Sequence, residues 1–323
     1  MREEYSNVEL SSDVITQVQL YVKGIASLYD ASNPFHNFDH ACHVTMSVHK
    51  LMKRVISDGT YREGEPVPAS EQERQDTYGI LTSDPVTLLA IIFSALIHDV
   101  DHKGVSNMQL CKEAPALAEH YRSKSVAEQN SFELSWDLLM DDQFTALRQV
   151  IFPQASDLLR FRQVAINTVL ATDIFDKEMG DMRKERWQKV FGQNAEASDD
   201  ESLKNTRATI VLEHIMQASD VSHTMQHWHV YVKFNQRLFK EMTYAYRQGR
   251  MGADPATFWY KGELSFFDNY VIPLAKKIGE CGVFGVSSDE YLSYAVANRA
   301  EWEQKGQAVV ADLIKSVSAE EAC

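Results

Sequence analysis

Apolar residues recur along most of this chain at intervals of three and four, the spacing that gathers them on one face of an α-helix. Val44, Val48 and Leu51 follow this rule. Glycine and proline are sparse, with 14 and 8 among 323 residues, so few positions interrupt a helix. No series of alternating β-branched strands is present, and the sequence therefore predicts an all-α fold. The helical pattern is clearest in three segments: 161–172, 208–217 and 229–246.

Composition limits the partners that the protein can have. The formal net charge of −14 argues against a duplex nucleic acid or an anionic membrane as the main partner, because both need a basic surface. The four cysteines lack CxxC spacing, which favours a reducing compartment. The N-terminus lacks the pattern of a signal peptide, and no apolar run reaches membrane-spanning length. We therefore expect a cytoplasmic protein without membrane insertion, or a cytoplasmic catalytic piece of a larger regulatory or receptor protein.

The segment 98–102 holds four side chains of types that can bind metal ions, directly after the apolar run 88–97. The run should form a buried helix, which would place these polar groups at its buried end. An isolated buried carboxylate or imidazole is costly, whereas bonds to a divalent ion offset that cost. The four side chains are His98, Asp99, Asp101 and His102.

Two further clusters carry potential ligands. Pro34 suits a first helical turn, so His36 and His40 should follow on one helical face. A histidine pair of this kind is by itself more often a surface or core feature than a ligand pair. Asp220 follows the apolar-periodic segment 210–216, where a lone aspartate is usually a cap or a surface residue.

Taken together, the clusters offer nitrogen and oxygen ligands from three helices. A borderline metal such as zinc accepts imidazole and carboxylate together, and a set that leaves room for water is catalytic in character. Nearby acids and histidines could orient ligands or waters. The predicted ligands are His40, His98, Asp99 and Asp220; the orienting groups are Asp101, His102 and Glu128.

Five motifs in order resemble the catalytic domain of class I cyclic-nucleotide phosphodiesterases, which belong to the HD phosphohydrolase group. They are Phe-His-Asn-x-x-His-Ala from residue 35, His-Asp-Val-Asp-His-x-Gly-Val-Ser-Asn from 98, Val-Leu-Ala-Thr-Asp from 169, Ala-Ser-Asp-Val-Ser from 218, and Phe-Phe-Asp-x-Tyr-Val-Ile-Pro-Leu from 266. The resemblance implies a single domain over 1–323, a motif-bearing core at about 30–315, and about sixteen helices.

The same resemblance implies a binuclear centre. The four predicted ligands match the tighter site, usually Zn²⁺, and Asp99 also matches the carboxylate that bridges to a second ion, usually Mg²⁺ or Mn²⁺. His36 matches the histidine that protonates the leaving O3′. Two cations would lower the pKa of a bridging water and generate hydroxide, which attacks the cyclic phosphodiester and yields a nucleoside 5′-monophosphate. Positions that hydrogen-bond metal-bound waters are matched by His102, Glu128 and Thr172.

The base pocket departs from the family pattern. Glu263 stands where the resemblance places a purine-reading glutamine, and Phe266 matches the aromatic ring that stacks on the base, although such a ring could also be core. An ionised glutamate only accepts hydrogen bonds, and guanine presents two adjacent donors, so Glu263 favours cyclic GMP over cyclic AMP. The alternatives are a protonated Glu263, a Glu263 turned toward Lys261, or an alignment shifted by one position. His223 is expected at the pocket border, and Leu238 as the clamp opposite Phe266.

Other segments and other functions remain open at this point. Loops are predicted at 57–77, at 193–205 and from Arg250 to Thr257, where a loop could cover a pocket. The alternative activities are another HD-domain phosphohydrolase and a catalytically silent cyclic-nucleotide-binding module. A homodimer is an open assembly state. The remaining histidines are expected to be structural or exposed: His49, His120, His214, His227 and His229.

Overall fold

The computed structural model describes residues 9–56, 84–192, 201–281 and 289–320. These residues form helices and connections with no strand among them, which confirms the all-α prediction. Two 3₁₀ turns, Asp142–Phe144 and Ser222–Met225, and a π-helical turn, Phe267–Val271, join some of the helices. The α-helices are α1 Ser12–Leu28, α2 Phe38–Ile56, α3 Pro85–Ile97, α4 Asn107–Glu113, α5 Pro115–His120, α6 Val126–Met140, α7 Thr145–Ile151, α8 Ala155–Leu170, α9 Lys177–Phe191, α10 Glu201–Asp220, α11 Trp228–Arg247, α12 Pro255–Phe266, α13 Ile272–Glu280 and α14 Asp289–Glu320.

Helix α3 occupies the middle of the fold. Asp84 caps its first turn by accepting from the backbone N–H groups of Val86 and Thr87 at 3.2 and 3.3 Å, and Pro85 fits the first helical position. Its side chains enter both large hydrophobic clusters of the described chain, with Ile91 in the cluster of α2 and α10–α14 and Phe93 in the cluster of α1 and α6–α8. A helix buried on both sides explains the apolar run, and it delivers residue 98 to the interior.

The start of α2 corrects one sequence prediction. Pro34 and His36 do not lie in the helix, since the chain forms bends there and α2 begins at Phe38. Asn37 sets this start, because its side-chain oxygen accepts from the backbone N–H of His40 at 3.1 Å, in the manner of an N-cap. His36 and His40 therefore reach the same region from a bend and a helix rather than from one helical face.

The predicted loops have different outcomes. Residues 57–77 lie outside the described chain, as do 193–200, but α10 already begins at Glu201, so the loop predicted at 193–205 is too long. The loop after α11 is also shorter than predicted, because Asp254 caps α12 and Pro255 begins it. Arg250 in this connection pairs with Glu113 of α4 at 2.6 Å, which fixes the connection to a neighbouring helix.

The C-terminal half closes around a buried tryptophan. Trp302 on α14 is fully buried and donates its indole N–H to the Tyr260 carbonyl at 3.0 Å, which ties α14 to α12. Gly306, one turn later, leaves room for that ring, because a Cβ there would lie 2.8 Å from it. None of the described helices combines the length and apolar character needed to cross a membrane.

Candidate active site

Four predicted ligands converge at the end of α3. Asp220, the last residue of α10, places Oδ1 3.0 Å from His40 Nε2 and 3.4 Å from His98 Nε2. Asp99 places Oδ2 3.2 Å from His98 Nε2 and 3.6 Å from His40 Nε2. Three secondary-structure elements thus bring two imidazoles and two carboxylates to one point, as the sequence predicts.

The tautomer of His98 suits a ligand. Its Nδ1–H donates to the Ala95 carbonyl at 2.9 Å, so in the neutral ring Nε2 carries a lone pair that faces the carboxylates. Nε2 is buried and has no hydrogen-bond partner. Burial opposes ionisation of Asp220, but its hydrogen bond with His40 and the nearby imidazole of His98 lower the pKa of this carboxyl group below its ordinary value. The pKa of Asp99 is also lowered, since His98 and His36 outweigh the effect of its burial.

This donor set fits a divalent cation. The ligand atoms of His40, His98 and Asp220 lie within 4.8 Å of one another, close enough to share one ion. Two partly buried carboxylates that stay ionised favour positive charge nearby, and a borderline metal satisfies them together with neutral imidazole nitrogens. A cation here would also supply the partner that His98 Nε2 lacks.

His36 is paired with an acid that the sequence analysis did not assign. Glu241 of α11 accepts the backbone N–H groups of Phe35 and His36 through Oε2, at 2.9 Å each, and its Oε1 forms a short contact with His36 Nδ1. Burial alone would lower the pKa of His36, but Glu241 and Asp99 raise it to about 9. His36 is therefore a protonated imidazole at neutral pH, beside the ligand cluster. A buried acid on the apolar face of α11 was the available sequence signal for Glu241.

His102 lies against His36, with the two ring centroids 3.9 Å apart. Its Nδ1 accepts the backbone N–H of Gly104 at 3.1 Å, and burial together with His36 lowers its pKa to about 4. His36, His102 and Glu241 are also close enough to hold an ion. We favour the ion pair instead, because Glu241 already accepts from three nitrogen atoms.

Glu128 belongs to a separate acidic group next to the centre. Asn107 donates to Glu128 Oε2 at 2.9 Å and to Asp173 Oδ2 at 3.2 Å, and Ser125 donates to the same Asp173 oxygen at 2.8 Å. Burial and the charge of Asp173 raise the pKa of Glu128 to about 7. Asp173, the last residue of the Val-Leu-Ala-Thr-Asp motif, is thus part of this group. The Thr172 hydroxyl donates to the Val169 carbonyl at 2.8 Å, within its own helix end.

Asp101 turns away from the ligand cluster. It adopts a positive φ of 60° and pairs with Lys103 at 2.6 Å. Its second oxygen accepts from Asn130 at 3.2 Å. These contacts hold the turn after α3 in place, so they give Asp101 a structural role rather than the orienting role expected from the sequence.

The predicted base-reading residues lie on α12. Glu263 is partly exposed, and its Oε2 accepts the Tyr231 hydroxyl proton at 2.7 Å. Burial raises the pKa of Glu263 to about 7 although Tyr231 and Asn235 lower it. Phe266, one turn along the helix, stacks on Tyr270 with ring centroids 5.3 Å apart. Glu263 is bonded to Tyr231 in the structure, and the alternative in which it pairs with Lys261 is not observed.

The other two predicted pocket residues have different surroundings. His223 is buried, stacks on Phe234 at 5.2 Å and lies 5.6 Å from Phe35, which itself packs 4.6 Å from the metal-ligand candidate His40. Its described ring contacts are therefore on the side of the metal cluster. Leu238 is partly buried against the cluster of α2 and α10–α14, two helical turns after Tyr231.

The histidines without a motif have mostly structural contacts. His214 is buried, bonds the Ile210 carbonyl at 2.7 Å through Nδ1 and packs on Trp187. His120 is exposed and pairs with Glu133 at 3.4 Å.

Comparison with known proteins agrees with this arrangement. The model of the 3′5′-cyclic nucleotide phosphodiesterase family matches residues 35–282. A probable 3′,5′-cyclic-AMP phosphodiesterase of Caenorhabditis elegans is 29% identical over 222 residues, which are 68% of this chain and 28% of that protein. A dual specificity calcium/calmodulin-dependent 3′,5′-cyclic nucleotide phosphodiesterase 1C of Homo sapiens is 25% identical over 250 residues, which are 75% of this chain and 30% of that protein.

Solved structures give the same answer for the fold. The phosphodiesterase domain of a Salpingoeca rosetta rhodopsin phosphodiesterase superposes with a TM-score of 0.68 at 20% sequence identity, covering 93% of this chain and 83% of that one. This chain spans about a third or less of the curated relatives named above. The family match covers most of the chain, including every predicted metal ligand, and on this basis the chain belongs to the 3′5′-cyclic nucleotide phosphodiesterase family.

Proposed function

We propose that this chain hydrolyses a 3′,5′-cyclic nucleotide to the nucleoside 5′-monophosphate in a metal-dependent reaction. The observation that carries the proposal is the convergence of His40, His98, Asp99 and Asp220 at the end of α3, with the buried Nε2 of His98 left without a hydrogen-bond partner. Family membership supplies the substrate class.

The metal requirement follows from the ligand set. His40, His98, Asp99 and Asp220 would hold the tighter ion, proposed as Zn²⁺, and Asp99 would also contact a second ion, proposed as Mg²⁺ or Mn²⁺. When bound, such ions activate water and neutralise phosphate oxygens. Glu128, with its pKa raised to about 7, and His102 are the polar groups that could orient metal-bound water on either side. Thr172 is proposed for the same role, since its hydroxyl donates to the Val169 carbonyl and its oxygen can still accept a hydrogen bond from water.

His36 is proposed as the general acid for the leaving O3′. Glu241 engages Nδ1, so the other ring nitrogen, Nε2, is left to deliver a proton. An alkoxide is a poor leaving group, and a positioned acid contributes about 10² to 10⁴ in rate. Because its pKa lies at about 9, His36 holds this proton at neutral pH and can release it when the O3′ bond breaks.

Glu263 and Phe266 are proposed to hold the base, with a preference for cyclic GMP. An ionised Glu263 accepts hydrogen bonds only, which matches the adjacent N1–H and N2–H₂ donors of guanine better than the donor and acceptor of adenine. Phe266 offers a ring face for stacking. His223 is proposed to border the pocket on the metal side, and Leu238 to face Phe266 across it.

The test is parallel hydrolysis of cyclic GMP and cyclic AMP with Zn²⁺ and Mg²⁺ present, with identification of the product. We expect 5′-monophosphates, with cyclic GMP turned over faster. Activity that survives in Asp220→Ala would contradict the metal assignment, and an unchanged nucleotide ratio in Glu263→Gln would contradict the base assignment. Binding without turnover would indicate a silent module, and turnover of other phosphate esters alone another HD-domain phosphohydrolase.

The proposal extends to the setting of the chain. We propose that residues 1–323 act as one catalytic domain, with the motif-bearing core at about 30–315, inside a larger cytoplasmic or membrane-attached protein. The short share of each curated relative that this chain matches supports this setting. Sedimentation analysis would decide between a monomer and a homodimer.

A further inference from the structure

We propose that Asn33 is a positioning residue that fixes the proton donor His36 relative to the metal-ligand cluster, by joining the bend before α2 to the turn after α3. The inference rests on the proposed function and deepens it, because it names the residue that sets where the acid stands rather than whether it holds a proton. Asn33 acts on the reaction only through His36.

His36 lies where no helical ladder holds the backbone. Residues 34–37 form bends, and α2 begins only at Phe38. In a continuous α-helix the His36 carbonyl would accept from the N–H group four positions later, which belongs to His40. That N–H group donates to Asn37 Oδ1 at 3.1 Å instead. The position of His36 therefore depends on side chains that bond its backbone.

One side-chain amide joins His36 to the turn after α3. The Asn33 Nδ2 group donates to the His36 carbonyl at 3.2 Å and to the His102 carbonyl at 2.7 Å. Both partners are acceptors, so the nitrogen and not the oxygen of the amide must face them. Each of its two protons has a carbonyl of its own. Asn33 thus links two segments that lie 69 positions apart in the sequence.

Both backbone groups of His36 are bonded to side chains. Glu241 Oε2 accepts the N–H group at 2.9 Å, and Asn33 donates to the carbonyl. Glu241 also engages the ring through Nδ1. Glu241 therefore sets the charge of the ring as well as its place, whereas the neutral Asn33 sets its place alone. Removal of the two residues should consequently leave different kinetic signatures.

The turn that Asn33 holds is tied to the proposed metal ligands. His98 and Asp99 stand at the end of α3, which contributes to both large hydrophobic clusters. The His102 backbone N–H donates to the Asp99 carbonyl at 3.1 Å. The bond from Asn33 to the His102 carbonyl thus refers the position of His36 to the ligands themselves. A displacement of about 1 Å between reacting groups can cost about 100-fold in rate.

Gly104 leaves room for the Asn33 side chain beside this turn. Its φ is 67°, and a Cβ at this position would lie 3.1 Å from Asn33 Oδ1. An added methyl group would press on the amide whose nitrogen holds the two carbonyls, and the positive φ would add backbone strain. Gly104→Ala therefore disturbs the same contact while Asn33 itself is kept.

The experiment compares the wild type with Asn33→Leu, which keeps a side chain of similar shape, stays uncharged and cannot donate. We expect kcat for cyclic-nucleotide hydrolysis to fall roughly 10- to 100-fold, with KM and bound metal about unchanged. The alkaline limb of the pH profile should stay in place, because Glu241 still engages the ring. Elemental analysis measures the bound metal, and thermal unfolding reports whether the fold is kept.

A double-mutant cycle separates positioning from a general structural role. If Asn33 acts through His36, Asn33→Leu should change the residual kcat of His36→Ala by no more than about twofold. A structural defect would lower kcat equally in both backgrounds. Asn130→Ala is the matched control, since the Asn130 amide also bonds the turn after α3, at Asp101 Oδ2 and 3.2 Å, and it should leave kcat about unchanged.

The outcomes separate this inference from the proposed function. An unchanged kcat in Asn33→Leu overturns the inference. A loss of bound metal as large as the loss of kcat, or an alkaline limb that moves, also overturns it, since Asn33 would then act on the metal or on the proton. If Asn33→Leu does not fold, Gly104→Ala decides by the same readouts. Wild-type protein that hydrolyses neither nucleotide overturns the proposed function itself.

Discussion

Replacement of Glu241 by glutamine tests the proposed acid most directly. Glu241 accepts two backbone N–H groups and engages Nδ1 of His36, so it holds both the position and the proton of that ring. Glutamine keeps the size and one acceptor oxygen but removes the negative charge. We expect the fold to be kept and the pKa of His36 to fall.

The size of this effect follows from the surroundings of His36. Glu241, Asp99 and Asp220 together raise its pKa from 6.5 to about 9 against the effect of burial. Cations bound at Asp99 and Asp220 would cancel much of the rise in the pKa of His36 that these two carboxylates cause. Glu241 is then the main group that keeps this pKa high. Without it, burial should return the pKa of His36 to about 6.5 or below. At about pH 7.5 the protonated fraction then falls from nearly all to about a tenth, and kcat should fall roughly tenfold or more.

The assay is the pH dependence of kcat for cyclic-nucleotide hydrolysis. The alkaline limb of the profile should move toward acid by about two and a half pH units or more in Glu241→Gln. Glu303→Gln is the matched control, because Glu303 pairs with Arg299 on the surface and should leave the profile unchanged. An alkaline limb that stays in place in Glu241→Gln would refute the reasoning, even if kcat fell.

Three further predictions concern the metal, the base and the fold. Asp220→Asn should reduce bound metal and lower kcat at least about 100-fold, measured by elemental analysis and by hydrolysis, because it removes the charge between two imidazoles. Phe266→Ala should raise KM by about 5 to 150-fold if the ring stacks on the base; an unchanged KM would make it a core residue only. Arg186→Ala should lower the free energy of unfolding by about 2 kcal/mol, because it strands the buried Glu213 carboxylate, which it reaches at 2.7 Å. As the control, Lys315→Ala should change the free energy of unfolding by less than about 0.5 kcal/mol, since the ion pair between Lys315 and Asp312 is exposed. Chemical denaturation measures both variants.

The sequence located the metal cluster because its signals are local. An apolar run with no polar side must be buried on all sides, and α3 indeed contributes to both hydrophobic clusters. Its polar end at His98 and Asp99 therefore had to be a buried polar site. The start of α2 was misplaced by the same local reasoning, since Pro34 suits a first helical turn but Asn37 provides the cap.

The tertiary structure decided which polar groups act on one another. Glu241 lies 205 positions from His36, and Tyr231 lies 32 positions from Glu263 on a different helix. Periodicity predicts that a residue faces the interior, but it does not predict which helix packs opposite. The sequence by itself thus determined an all-α chain with a cluster of histidines and aspartates that could bind metal, through short-range patterns of burial and charge. The packing of α11 against the segment before α2 and against α12 decided the proton on His36 and the hydrogen-bond partner of Glu263, because both depend on groups that only the folded chain brings within bonding distance.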